Sequence, residues 1–345
     1  MPMKLSLRMI IFPIFVAVSM SLGLLLGLKV HVYSSSVATY GIPVGLFFMI
    51  YPVMTKVRLE EVGKSIRDLK TLGLMVLLNY AVDPFLVAGL AYLFFYGIYD
   101  RLGLLTSSIT SQALVGAILL GVAPCIAMVI VWTDLAGGNL ALGVSFIAWN
   151  SVIQIITTPI LVYILTRTSV IINPLLILES VLLYLLIPLI AGIITRRTLQ
   201  RKNIFSKILK ALDNVQTAAL LFTIVMIFWG GGYGVISHPF LIWMIGAVML
   251  VFYFVLFHMG YFVARFIGYN YADSTAIGFT VSARDFEVSI AIAVTAFSAY
   301  PYVAVTTTIG PLLEIPFMLL LVWIQLLRRE KDLLISSTKF TEPAK

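Results

Sequence analysis

The chain has 345 residues, of which 61% are hydrophobic and 11% are charged, and its mean hydropathy is +1.06. Since a soluble domain carries about 25% charged residues, this composition excludes a globular protein in water and predicts an integral membrane protein. We therefore expect the lipid bilayer, and not nucleic acid, as the partner, and in a membrane chain the formal net charge of +8 matters through the placement of its Lys and Arg residues. A single cysteine excludes an intrachain disulfide and a cysteine-rich metal site. Phosphate-binding loops and the zinc motif H-E-x-x-H are absent from the sequence, so we expect no cofactor.

Ten apolar spans follow one another along the chain, separated by short polar breaks. The first span has no charge from Met9 to Leu28, which is long enough to cross a bilayer and too long for a signal-peptide core. We therefore expect a retained first helix. The predicted spans are residues 9–28, 38–55, 72–98, 112–132, 141–165, 171–195, 215–236, 241–264, 273–298 and 302–327.

The positively charged residues divide unevenly between the two sides of these spans. If the N-terminus lies in the cytoplasm, 19 of the 23 Lys and Arg residues fall on the inner side and three on the outer side, while Arg284 lies within a span. Positively charged loops resist export. The split therefore predicts a multi-pass protein of the cell (plasma) membrane with both termini cytoplasmic.

The ten spans divide into two halves of five, residues 1–166 and 167–330, followed by a cytoplasmic tail at 331–345. Because each half has an odd number of spans, the second half would be inverted relative to the first, as in many secondary transporters. The lone cysteine and a charged cluster both fall in the fourth span of their half. We therefore predict an all-α polytopic membrane protein of two inverted five-helix repeats, with helices 4 and 9 broken and close together.

The first interruption is at Pro124 and Cys125, in the sequence GVAPCIAMVIVW. Pro124 cannot donate a backbone hydrogen bond and its ring clashes with the preceding turn, so the helix should kink or open there. Carbonyl groups freed at membrane depth need protein or a water-filled cavity around them, which places Cys125 at a cavity. A plainer interpretation stays open, because prolines kink many membrane helices and a lone cysteine often only packs.

The second interruption is the charged cluster Arg284, Asp285 and Glu287, in the sequence ARDFEVSIAIAV. Burying such groups costs roughly 3 kcal/mol each even on lenient insertion scales, and an Arg284–Asp285 pair would recover part of that cost. Ionisable groups inside the membrane commonly mark ion paths or proton relays. Glu287 is the better candidate for a proton carrier, because Asp285 lies next to a permanent cation. The alternative is a structural ion pair that joins two helices.

Further polar residues lie in the fifth and tenth spans. Glu314 follows a predicted helix disturbance at Gly310–Pro311, and it either takes part in the ion path or is protonated and packed. Asn150, Gln154 and Thr157 are spaced to share one face of the fifth span. That polar stripe either binds substrate or holds helices together.

Four segments together resemble the arsenical-resistance (arsenite) permease family, within the bile acid/arsenite/riboflavin transporter superfamily. They are LLNYAVDPFLVAGLAY in the third span, GVAPCIAMVIVW in the fourth, ARDFEVSIAIAV in the ninth and GPLLEIPFM in the tenth. The segments cover four spans, and the ten-span plan of the family covers the whole chain.

This resemblance implies a panel domain from spans 1, 2, 6 and 7 and a core domain from spans 3–5 and 8–10, with spans 4 and 9 crossing near the middle of the bilayer. It implies export of arsenite, with antimonite as a further candidate substrate, against a proton gradient. Cys125 matches the family's essential cysteine and would be the thiolate ligand of arsenic(III). The other implied site residues are Trp132, Asn150 and Phe286 for substrate binding, and Glu287, Glu314 and Asp285 for proton coupling.

The sequence departs from the family pattern at three positions. Pro124 stands where the family usually has Arg, Asp285 where it usually has Asn, and Asp83 where a small or apolar residue is common. Two acids are gained near the pathway and one cation is lost, which bears on the substrate charge and the coupled ion. Asp83 itself we interpret as structural.

A sodium-coupled organic-anion symporter of the same superfamily is the first alternative. In that protein, Asn150, Gln154, Asp285 and Glu287 would surround sodium with oxygen ligands, and Cys125 would be incidental. Sodium-dependent uptake by vesicles would favour this alternative.

An intramembrane enzyme is the alternative from another class of protein. It would need a nucleophile and a base that face one cavity, and Cys125 with His258 is the candidate pair. We expect His258 to be a hydrogen-bonded core residue and the chain not to be an enzyme. The sequence does not predict an oligomeric state.

Overall fold

The structure is a computed structural model, and it describes residues 7–29, 34–58, 60, 69–126, 128–171, 173–202, 204–231 and 240–339. Every regular element in these ranges is a helix. The extended pairing found there is an isolated bridge between Pro124 and Arg284. The all-α prediction is therefore confirmed for the described part of the chain.

Helices lie at all ten predicted positions, and the fourth and ninth are each divided in two. The helices are α1 Leu7–Lys29, α2 Ser34–Lys56, α3 Leu69–Asp100, α4a Ser107–Val122, α4b Val129–Leu135, α5 Leu140–Thr166, α6 Pro174–Leu199, α7 Phe205–Gly231, α8 Phe240–Ile267, α9a Tyr271–Ser282, α9b Phe286–Ala296 and α10 Pro301–Lys339.

Six of these helices, α3, α5, α6, α7, α8 and α10, are long and apolar enough to cross a membrane by length and composition. Shorter apolar stretches lie in α1, α2, α4a and α9b. Helices of this length and hydropathy define a multi-pass membrane protein.

Two features of α10 correct the sequence prediction. The helix continues to Lys339, past the predicted end at residue 327, because the segment RREKDLL consists mostly of residues with high helix propensity. The part of the predicted tail that is described is therefore helical. Pro311 and Pro316 both lie inside α10, so the disturbance predicted at Gly310–Pro311 does not end the helix.

α3 passes Pro84 without a break. Residues Leu77–Val82, immediately before Asp83 and Pro84, form a π-helical turn. Because proline clashes with the preceding turn and removes a donor, the wider turn lets the helix continue. Asp83 and Asn79 therefore remain in the buried interior.

The helices pack in two groups, and both α9b and α10 contact helices of the two groups. In the first group, α2 packs on α6 and α7, and α1 packs on α7. In the second group, α8 packs on α9a and α10, and α4a packs on α3 and α10. α9b contacts α4a and α10 of the second group, and also α2 and α6 of the first. Its side chains can therefore meet residues of both groups.

Candidate substrate and ion site

The two helix interruptions lie against each other. The Cys125 backbone N–H donates to the Ala283 carbonyl oxygen (3.1 Å), and the Asp285 N–H donates to the Ala123 carbonyl oxygen (2.9 Å). Pro124, between these bonds, is the residue that has no N–H to donate. Backbone groups freed by one break are thus satisfied by the other. Both predicted interruptions are present, and they meet.

Cys125 is buried at this meeting point, with only 2% of its surface exposed. Its Sγ atom accepts a hydrogen bond from the Met128 backbone N–H (3.2 Å). α4b begins one residue later, without a side-chain cap. Trp132 lies on α4b and is fully buried, and its Nε1 atom has no hydrogen-bond partner among the described residues. The thiol and an indole N–H are therefore both placed in the interior beside the break.

Arg284 pairs with Asp83, which corrects the predicted Arg284–Asp285 pair. Its Nη2 atom lies 2.8 Å from Asp83 Oδ2, and both side chains are fully buried. Its Nη1 atom donates to the Gly121 carbonyl oxygen (3.0 Å), and Nη2 also donates to the Val281 carbonyl oxygen. The sequence interpretation of Asp83 as structural had not identified its partner, which lies 201 residues away.

The neighbouring acid, Asp285, begins α9b. Its Oδ1 atom accepts from the Val288 N–H (3.0 Å), which is the geometry of a helix N-cap. Phe286 follows it, is 4% exposed, and lies near Gly310 of α10. Asp285 and the next acid, Glu287, are electrostatic neighbours. Asp285 therefore has a structural task in addition to any role in ion coupling.

Glu287 is connected by hydrogen bonds to partly exposed residues of the first helix group. Its Oε1 atom accepts from Gln216 Nε2 on α7 (3.3 Å), and Gln216 Oε1 in turn accepts from Lys56 Nζ (3.3 Å). Lys56 also forms an ion pair with Asp213, and both of those side chains are about two-fifths exposed. A polar chain therefore leads from a buried carboxyl group to partly exposed charges. The sequence prediction missed Gln216, because nothing in the sequence marks it as a site residue except its place beside a charged segment.

Glu314 is also buried and has a partner that sequence reasoning missed. The Tyr253 hydroxyl on α8 donates to Glu314 Oε2 (3.0 Å). Tyr253 is fully buried and is within electrostatic reach of Arg284 and Cys125. Glu314 is likewise an electrostatic neighbour of Glu287. The predicted carboxyl groups and the thiol are therefore brought to one region.

The polar stripe of α5 faces α3. Asn150 Oδ1 accepts from Asn79 Nδ2 (3.3 Å) and from the Tyr80 hydroxyl (3.1 Å). Gln154 is fully buried, and neither atom of its amide has a partner among the described residues. Thr157 instead bonds to its own helix at Ile153. Asn150 thus holds α3 against α5, while Gln154 keeps unused donors and an unused acceptor.

His258 is hydrogen-bonded within its own helix, α8, as expected, but it is half-buried and does not lie in the core, which corrects that part of the expectation. Its Nδ1 atom lies 2.8 Å from the Phe254 carbonyl oxygen one turn earlier, and its ring packs on Phe254, Phe257 and Phe262. Among the described residues, no cluster of three or more His, Cys, Asp or Glu side chains is arranged to hold a metal ion.

Long apolar helices, of which two are interrupted in the middle and meet at buried charged side chains, form the architecture of a secondary transporter. The sequence profile of the sodium bile acid symporter family matches residues 43–238. The chain belongs to this family, and it groups there with the arsenical-resistance permeases that four of its segments resemble.

Individual relatives match along most of the chain. The arsenical-resistance protein Acr3 of Corynebacterium glutamicum is 32% identical over 94% of this chain and 90% of the relative. Acr3 of Alkaliphilus metalliredigens is 31% identical over 83% of this chain and 81% of the relative. The uncharacterised transporter slr0944 of Synechocystis is 29% identical over 89% of this chain and 84% of the relative.

Proposed function

We propose that the protein exports arsenite from the cytoplasm in exchange for protons, with antimonite as a second candidate substrate. The observation that carries this proposal is the buried Cys125 thiol at the meeting point of the two interrupted helices. Two relatives that are named arsenical-resistance proteins cover most of the chain and support the same substrate class.

The chemistry of the thiol fits this substrate. Trivalent arsenic is a soft centre, and soft thiolate ligands select soft ions. A single thiolate forms a labile bond to arsenic(III), whereas three would trap it, and a transporter has to release what it binds. Trp132 and Asn150 are the proposed neighbours of the bound metalloid, with Phe286 from the opposite break.

Glu287 is the proposed proton carrier, with Glu314 and Asp285 as further members of the coupling site. The hydrogen-bonded chain through Gln216 to Lys56 supports this role, because it links the buried carboxyl group to the side of the molecule where the charged loops lie. Binding of arsenous acid breaks the S–H bond of Cys125 and one As–OH bond, and forms the S–As bond and one water molecule, so the thiol proton leaves with the hydroxyl group. The proton exchanged for arsenite would be carried separately, by protonation and deprotonation of the Glu287 carboxyl group.

The transport cycle that we propose uses two inverted five-helix repeats, residues 1–166 and 167–330, in ten membrane crossings. The group α1, α2, α6 and α7 would form the panel domain, and the remaining helices the core domain. Both termini would be cytoplasmic, as the distribution of Lys and Arg predicts. Movement of the core against the panel would then expose Cys125 to each side in turn.

Sodium-coupled uptake of an organic anion is the second candidate function. It is favoured by the family's name and by Gln154, whose buried amide has unused hydrogen-bonding capacity. An amide oxygen of this kind could serve as a sodium ligand together with Asn150.

One experiment separates the two functions. Everted vesicles energised by a pH gradient should accumulate arsenite in the absence of sodium if the protein is a proton-coupled exporter. Accumulation that requires sodium, or transport of bile-acid-like anions without arsenite transport, would support the second function and contradict the first.

A further inference from the structure

Arg284 lies in an oxygen cage of the kind that holds a cation. Its guanidinium group donates to the Gly121 carbonyl oxygen (3.0 Å), to the Asp83 carboxylate (2.8 Å) and to the Val281 carbonyl oxygen. These acceptors come from α4a, α3 and α9a. Arg284 and Asp83 are both fully buried. Acceptors from three helices therefore converge on one positive charge.

The two carbonyl groups belong to the last turns of half-helices. α4a ends at Val122 and α9a ends at Ser282. The last carbonyls of a helix lack intrahelical partners, and the helix dipole places partial negative charge at that end. In transporters with broken helices, such carbonyl ends coordinate sodium ions or protons. In this protein, the side chain of Arg284 occupies the position that faces these carbonyl ends.

An arginine differs from a bound ion in two respects that matter for transport. It is covalently attached, so it cannot enter or leave during the cycle, and it is not deprotonated in proteins. Its planar fork also lets one group serve several acceptors. Gly121 lets α3 pack closely on α4a, since a Cβ atom at that position would collide with the side chain of Val87.

We infer that Arg284 is a built-in cation that occupies the place where a coupling sodium ion would otherwise bind. The inference rests on the proposed transport function and makes its ion coupling specific. The charge of Asp83 is balanced permanently, so sodium has no place in the cycle at this point. The groups that remain for coupling are the carboxyl groups of Asp285, Glu287 and Glu314.

The test measures thermal unfolding of the purified protein in sodium, potassium or choline chloride at equal ionic strength. The unaltered protein should unfold at the same temperature in all three salts. Arg284→Ala leaves Asp83 and the carbonyls without a cation, and its unfolding temperature should fall by roughly 5 to 10 °C. Sodium or a low concentration of guanidinium, but not choline, should restore at least half of this loss.

Two further variants make the response specific. The double variant Asp83→Asn, Arg284→Ala lacks the anion of the cage and should respond to neither cation. Ser289→Ala is the matched control, because it removes a buried hydroxyl bonded to the Leu119 carbonyl (3.0 Å) without changing a charge. It should lose some stability and show no preference among the salts, as expected for a purely structural contact.

The inference is overturned if sodium stabilises the unaltered protein more than potassium does, or if neither cation restores Arg284→Ala. If that variant cannot be purified, Arg284→Lys retains a tethered charge and should be insensitive to sodium, so that stabilisation by sodium would contradict the inference. These measurements need no arsenite. Failure of arsenite export would therefore count against the proposed function alone.

Discussion

The two interruptions face each other, yet they are built from different chemistry. At the α9 break, charged side chains bind both half-helices: Arg284 donates to the Val281 carbonyl oxygen of α9a, and Asp285 caps α9b. Arg284 also reaches across to the Gly121 carbonyl oxygen at the end of α4a. At the α4 break, α4b begins without a side-chain cap, and the nearby acceptor is the sulfur of Cys125. One break is thus closed by fixed charges, whereas the other presents a reactive atom. We expect the first to hold the site together and the second to bind the substrate.

The substitution Cys125→Ser tests the reactive side of this comparison and should have the largest effect. Serine keeps nearly the same volume and removes the soft ligand, so arsenite binding and export should fall to the level of vesicles without the protein. Binding is measured as arsenite retention by the purified protein, and export as arsenite uptake into everted vesicles.

Cys125→Ala is the matched control for that experiment. It should lose transport to the same extent, because the thiolate and not the volume matters, and both variants should unfold near the temperature of the unaltered protein. Export by Cys125→Ser at the unaltered rate would show that the thiol only packs.

Glu287→Gln tests the proton-coupling role on the charged side and should have the next largest effect. Glutamine keeps the shape of the side chain and some of its hydrogen bonding but cannot titrate. Arsenite binding should survive, while uptake into everted vesicles should no longer respond to a pH gradient.

Glu314→Gln gives the comparison for Glu287→Gln, since Glu314 is equally buried but bonds to Tyr253. Yield and unfolding temperature are measured for both variants, because a folding defect would imitate a loss of transport. Full proton-driven uptake by Glu287→Gln would move the proposed proton site to Glu314 or Asp285.

The sequence predicted the positions of both breaks because their causes are local. A proline and a cluster of charges in an apolar run are visible without knowledge of the fold. The pairing of Arg284 was not predictable in the same way, since Asp83 lies 201 residues earlier and Asp285 lies adjacent. Adjacent residues at a helix start point in different directions, so proximity in sequence favoured the wrong partner.

Contacts between helices account for the other differences. Thr157 and Thr158 both lie near the helix face that carries Asn150 and Gln154. The helical period of the sequence therefore does not show which of the two belongs to the polar stripe. In the structure, Thr158 is the buried one. Gln216 is a site residue because of one contact between helices, its hydrogen bond to Glu287, which lies 71 residues later in the sequence. The inverted repeats and the orientation of the chain stay predictions, since they rest on span counting and on charge distribution.

The Arg284–Asp83 pair gives the third prediction, which concerns stability. Asp83→Asn leaves a buried guanidinium without its carboxylate, and removal of one partner of a buried ion pair costs about 3–5 kcal/mol. The double variant Asp83→Leu, Arg284→Met removes both charges and should cost less than the single change. Denaturation of the purified proteins measures the two differences, and a double variant less stable than Asp83→Asn would indicate that the carbonyl contacts of Arg284 dominate.

The smallest effect on stability is expected at Asp285. Its variants test whether the charged break only holds α9b in place or also takes part in ion coupling. Asp285 Oδ1 accepts from the Val288 N–H, and loss of an N-cap costs about 1 kcal/mol. Asp285→Ala should therefore destabilise the protein by about that amount, whereas Asp285→Asn keeps an oxygen acceptor and should change stability little. If Asp285 only closes the α9 break and Glu287 carries the proton, Asp285→Asn should retain the response of arsenite uptake to a pH gradient. A variant that folds normally but no longer responds to the gradient would show that the cap also titrates, and the charged break would then take part directly in coupling.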